Sequence, residues 1–79
     1  MNKRTFKQIA IEIKKVWPKP YFGAVPYIDA MMCLDTTDPK APYLFEHADE
    51  IVLRFLCNAQ TFRGEDARRI KAELKSMVK

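Results

Sequence analysis

The sequence predicts an all-α fold, a compact bundle of about four short helices over residues 6–17, 26–34, 43–58 and 64–78, with the third helix central. Three observations lead there. Apolar residues recur at three- and four-residue spacing. Residues that start and stop helices bracket each stretch. Only two glycines occur among 79 residues, too few for a loop-rich or disordered chain.

The first helix opens on Thr5 with Gln8 three residues later, the form of a capping box. Phe6, Ile9, Ala10, Ile13, Val16 and Trp17 then share one face. Pro18 and Pro20 stop it, because proline lacks a backbone donor and clashes with the preceding turn. Residues 21–25 form an aromatic connector. Pro26 suits the first turn of the second helix, whose apolar side is Tyr27, Ile28, Met31 and Leu34. Residues 35–42 read as a loop, rich in Asp, Thr and Pro. The third helix is expected from Tyr43, with Glu46, Asp49 and Glu50 near the positive end of its dipole. Its second half, Ile51, Val52, Leu53, Phe55, Leu56 and Cys57, is apolar nearly all round, which makes it the core helix. The fourth opens with Glu65 and Asp66, closes with Lys75 and Lys79, and buries Ala67, Ile70, Leu74 and Met77. Gly64 just before it is read as allowing close packing of the helix start.

A chain of this length makes one domain, spanning residues 1–79, and buries only roughly 60–65% of its unfolded surface. Its third helix is so apolar that self-association is a second way to cover it. The apolar run Ile51 to Leu53 is cut by Arg54 and no apolar run approaches the roughly 20 residues of a span, so no membrane span is expected. No apolar stretch follows the basic N-terminus as in a signal peptide. Cys33 and Cys57 are too few for a disulfide framework and read as free thiols, with the cytoplasm as the expected location.

The net charge of +4 is unevenly spread. Residues 1–20 hold Lys3, Arg4, Lys7, Lys14, Lys15 and Lys19 against Glu12 alone. The middle is acidic, with Lys40 and Arg54 against Asp29, Asp35, Asp38, Glu46, Asp49 and Glu50. The C-terminal stretch is basic again. At 100° per residue, Arg68, Lys71, Lys75 and Lys79 share one flank of the fourth helix. Arg69 lies on the other, with Glu65 and Glu73 each four residues away as expected partners. Such a stripe is either a solvated face or a surface for an anionic partner, with Lys3, Lys7 and Lys14 as its extension on the first helix.

Read as a helix-turn-helix, the last two helices fit poorly. The turn is longer than usual, and Glu65 and Asp66 would approach phosphate with the wrong charge. Any nucleic-acid contact is therefore expected at phosphates rather than base edges. The connector aromatics Tyr21, Phe22, Tyr27, Tyr43 and Phe62 are expected to plug gaps between helix ends. For catalysis the sequence offers little. His47 and Cys57 lie roughly 15 Å apart along one helix, and only Cys33 is left to approach His47. No zinc, calcium or phosphate-loop spacing occurs, so no metal, cofactor or small-molecule substrate is expected.

Residues 21–27 (YFGAVPY), Ala30-Met31, 62–65 (FRGE) and 67–75 (ARRIKAELK) together resemble small uncharacterised proteins of prophages and integrative elements in Gram-positive bacteria. The resemblance spans most of the chain and implies a mobile-element setting without assigning any residue a role. The sequence thus points to a non-enzymatic helical interaction module, with phosphate-contacting nucleic-acid binding as the alternative.

Overall fold

The computed structural model describes residues 3–78 and shows four helices with one small hairpin. In chain order these are α1 (Phe6–Val16), a 3₁₀ turn (Phe22–Ala24), α2 (Val25–Met32), β1 (Pro42–Tyr43), β2 (Glu46–His47), α3 (Ala48–Cys57) and α4 (Glu65–Met77).

α1 begins as its sequence dictates. The Gln8 amide donates to Thr5 Oγ1 at 3.1 Å, and the Thr5 amide donates to Gln8 Oε1 at 2.8 Å. A cap of this kind is worth about 1 kcal/mol. Two further donors of the first turn find partners in the loop after α2. The Phe6 amide donates to the Thr36 carbonyl at 3.0 Å and the Lys7 amide to the Leu34 carbonyl at 2.9 Å. The loop thereby ties the start of α1 to the end of α2, and unsatisfied helix-end donors become a tertiary link. α2 starts with Val25, carries Pro26 in its first turn and buries Ile28, Ala30 and Met31.

The third helix departs from expectation. Residues 42–47 are not helical. They form an antiparallel hairpin in which Pro42 faces His47 and Tyr43 faces Glu46. α3 starts only at Ala48, because its cap lies there. The Glu50 carboxylate accepts the His47 amide at 2.9 Å. The Ala48 and Asp49 amides donate to the carbonyls of Ala41 (2.9 Å) and Pro39 (2.8 Å). The loop thus satisfies the first helical donors, which a helix begun at Tyr43 would have left inside it. Nor is α3 apolar all round. Ala48, Ile51, Val52 and Phe55 are buried, whereas Leu53 is 52% exposed and Cys57 faces outward beside Glu50 and Arg54.

Packing runs chiefly in a ring: α1 on α2, α2 on α3, α3 on α4 and α4 on α1. α3 is one of four walls rather than an axle. The core they enclose holds Phe6, Ile9, Ile13, Ile28, Met31, Ile51, Phe55, Ile70 and Leu74. Trp17 closes one end, stacked on Phe62 (centroids 4.8 Å apart) and edge-on to Phe55 at 6.4 Å. Of the connector aromatics, Phe62 is thus a plug, and Tyr27 and Tyr43 pack against the core, but Tyr21 and Phe22 lie exposed.

The two glycines serve different needs. A Cβ on Gly23 would lie 2.6 Å from the Tyr21 ring and 2.8 Å from Asn58 Oδ1, so the connector approaches the end of α3 closely there. Gly64 has open space around it but φ of 110° and ψ of −177°, a backbone region that L side chains avoid. The expected close packing at Gly64 is corrected to a conformational need. No helix among the described residues is long and apolar enough to cross a membrane.

Candidate functional site

The junction of α1 with α4 is a closed ionic network. The Arg4 guanidinium grips Glu73 through two nitrogens, at 3.1 and 2.5 Å, and donates to Glu12 Oε1 at 2.7 Å. Arg69 reaches across from α4 to Glu12 and also touches Asp66 at 3.3 Å. The expected pairing of Arg69 with Glu65 and Glu73 is therefore corrected. Arg4 occupies Glu73, and the facing helix supplies Glu12. The hydrogen bonds of Arg69 and then Arg4 hold the Glu12 carboxyl below its ordinary value. Carboxylates and guanidiniums here answer one another and leave little for an outside ligand.

This network also separates the two halves of the basic surface expected from sequence. Arg68, Lys71 and Lys75 occupy the flank of α4 turned away from α1. Lys7 and Lys14 occupy the flank of α1 turned towards α2, where Lys14 pairs with Asp29 at 3.1 Å. Lys3 is exposed just before α1, and Lys79 lies outside the described residues. Lys71 is not free either. Its ammonium donates to the Phe62 carbonyl at 2.6 Å and lies 5.7 Å from the Phe62 ring centroid. Burial, then the neighbouring Lys75 and Arg63, hold it below the usual lysine value. Arg68 and Lys75 have no carboxylate in ion-pair reach among the described residues. Arg68 edges, with Arg63 and Lys71, a shallow depression of about 340 Å³, and Lys75 stands next to Lys71.

The chemistry-bearing residues of the middle are engaged in structure. Cys33, exposed at the end of α2, lies beside Tyr43, whose phenol its charge pushes up. His47 Nδ1 lies 3.2 Å from Glu50, and Lys40 takes Asp49 at 2.8 Å. His47, Asp49 and Glu50 do cluster at the start of α3, but as its cap and its ion pairs.

The surface feature that sequence reading missed is the hairpin turn. Leu44 and Phe45 sit at its tip, 82% and 103% exposed. Leu44 is the one described non-glycine residue with positive φ, at +56°. Two-residue hairpin turns favour Asn or Gly there, because a β-carbon crowds the backbone. A strained leucine followed by a fully solvated phenylalanine is a poor choice for folding alone. The turn residues lack any of the usual signals. Only the Pro42-Tyr43 pair before them hinted at extended chain.

A second apolar feature lies where α1 gives way to α2. Trp17, Pro18, Pro20, Val25 and Ile28 line a depression of about 260 Å³, with the Lys14–Asp29 pair at its rim. Comparison of the chain with protein-family models, with curated proteins and with solved structures finds no match.

Proposed function

We propose that this protein is a non-enzymatic helical interaction module that binds through the tip of its β1–β2 hairpin. One observation carries the reading: Leu44 and Phe45 stand in water on a turn that a leucine strains. Backbone strain at an exposed site points to a role outside folding. Aromatic side chains presented on a rigid turn are typical anchors of protein contacts, because they bring a large apolar area with few rotatable bonds. The resemblance to small prophage and integrative-element proteins supports a mobile-element setting in a bacterial cytoplasm. Affinity capture with native and Phe45→Ser baits, alongside light scattering, tests the reading. Capture or self-association that Phe45→Ser abolishes supports it. Binding that is undiminished in Phe45→Ser, or neither capture nor self-association by the native chain, contradicts it.

A second reading is favoured by a different observation, the unpaired Arg68 and Lys75 beside Arg63 and Lys71. That face suits contact with nucleic-acid phosphates. It predicts affinity that falls steeply with salt, by about 0.9 log units per log unit of salt for each phosphate engaged on duplex DNA and about 0.7 on single strands. Lys71→Glu with Lys75→Glu then weakens binding to every sequence about equally. No shift of DNA or RNA at low salt disposes of it.

A further inference from the structure

Resting on the second reading, in which the basic flank of α4 meets phosphates, we propose that the depression edged by Arg63, Arg68 and Lys71 is a discrete site for a terminal phosphate, a phosphomonoester dianion. The lining selects the sign of the ligand. Phe62, Arg63, Gly64, Ala67, Arg68 and Lys71 border about 340 Å³, and no carboxylate is among them. The nearest acids in the chain, Glu65 and Asp66, line a separate depression beside Arg69. None of the three cations has a carboxylate in ion-pair reach among the described residues.

Two of these cations are positioned without being neutralised. Arg63 Nε donates to the Gln60 carbonyl at 3.3 Å, and the Lys71 ammonium donates to the Phe62 carbonyl at 2.6 Å. Both carbonyls belong to the α3–α4 connector, which the buried Phe62 ring pins by stacking on Trp17. A carbonyl orients a cation but leaves its full charge. Like charges held this way repel: after burial, Lys75 and Arg63 help to hold Lys71 below the usual lysine value. At the α1–α4 seam, by contrast, Arg4 and Arg69 both meet carboxylates of their own chain. At the depression the matching anion is left to come from outside.

The donor set narrows that anion. A terminal phosphate carries about two negative charges and three acceptor oxygens, whereas a phosphate within a strand carries about one charge. Two guanidiniums and an ammonium suit the former, because each guanidinium can engage two oxygens at once and the ammonium adds a compact charge. The floor leaves room for it. Gly64 has open space where a β-carbon would stand, and Ala67 adds only a methyl group. Arg63 and Arg68 are exposed and Lys71 is half-buried, so a ligand from solvent reaches all three.

Amide NMR of the isotope-labelled full chain, titrated with inorganic phosphate above neutral pH against chloride of equal ionic strength, tests the site. A second arm compares one oligonucleotide bearing a 5′-phosphate with the same strand bearing a 5′-hydroxyl. The native chain is expected to show saturable shifts centred on residues 62–71 with phosphate alone, and to bind the phosphorylated strand roughly tenfold more tightly. Arg68→Gln, at an exposed side chain, is expected to lose about tenfold in both arms with its thermal melt unchanged. The charge-matched Lys15→Gln on α1 is expected to lose less than about twofold. Saturable phosphate binding that Arg68→Gln weakens supports the site, and the strand arm then tells a nucleic-acid end from free phosphate as its source. The site is overturned if phosphate gives no saturable shift and the two strands bind alike, or if Arg68→Gln binds both probes as the native chain does. The reading of the flank as a nucleic-acid contact falls separately, only if neither strand binds at low salt.

Discussion

The α1–α4 seam and the β1–β2 hairpin use their exposed side chains in opposite ways. At the seam, Arg4, Glu12, Arg69 and Glu73 come from segments far apart in the chain and satisfy one another. At the hairpin, Leu44 and Phe45 touch little of their own molecule and hold a turn that glycine would hold better. Charge that pairs internally stabilises a fold and quiets a surface. Apolar area left in water does neither, so its use lies in contact with something else.

Four substitutions break or sharpen this contrast. The largest effect belongs to the core on which both regions rest. Phe55→Ala, at a fully buried ring against Trp17, costs about 3–5 kcal/mol and leaves a domain of this size at the edge of unfolding in urea. Next comes Gly64→Ala, which forces a β-carbon into the Gly64 conformation and lowers stability by about 1–3 kcal/mol in the same titration.

The seam comes third. Glu12→Gln removes the carboxylate shared by Arg69 and Arg4 and lowers stability by about 1 kcal/mol near neutral pH. Its pH dependence has a definite sign. Glu12 is held below the unfolded value near 4.5, so the unfolded chain binds its proton more readily. The contribution is complete above that value and is lost as pH falls through the folded one. The gap between native and Glu12→Gln urea midpoints should therefore close in acid, and added salt should narrow it at neutral pH. The smallest effect is at the tip, with reversed sign. Leu44→Gly relieves the positive φ and raises stability by about 0.5 kcal/mol in dilute protein while removing half of the apolar tip.

Much of the scaffold was legible in the sequence. Phe6, Ile9, Ala10 and Ile13 on α1, and Ala67, Ile70, Leu74 and Met77 on α4, are buried at the helical spacing that predicts them. Thr5 and Gln8 form their capping box. Local pattern suffices where a helix is capped by its own residues. It failed at α3, whose start is fixed by carbonyls of Pro39 and Ala41 and by a box built on His47, a residue that rarely caps. The outward Leu53 was hidden for a related reason. An apolar run does not say which of its members a small core has room for.

The candidate surfaces were less legible still. The basic flank of α4 was visible in the spacing of Arg68, Lys71 and Lys75, and Arg69 on the opposite flank. That Glu12, rather than Glu65 or Glu73, takes Arg69 depends on the packing of α1 against α4, which no local spacing encodes. The retreat of Lys71 onto the Phe62 carbonyl depends likewise on the α3–α4 connector. The hairpin escaped notice because Leu44 and Phe45 are the residue types that turn rules disfavour. Their mismatch with those rules became informative only once the turn was seen.

The most direct test of the central claim, that the hairpin tip serves contact and not folding, is the unfolding midpoint of native and Phe45→Ser chains as a function of protein concentration. A contact made only by the folded form raises the midpoint as concentration rises. Phe45→Ser is expected to coincide with native protein at the dilute limit and to stay flat, so that any rise with concentration belongs to the native tip. A Phe45→Ser midpoint that falls below native by the same amount at every concentration would contradict the claim and make the tip part of the fold.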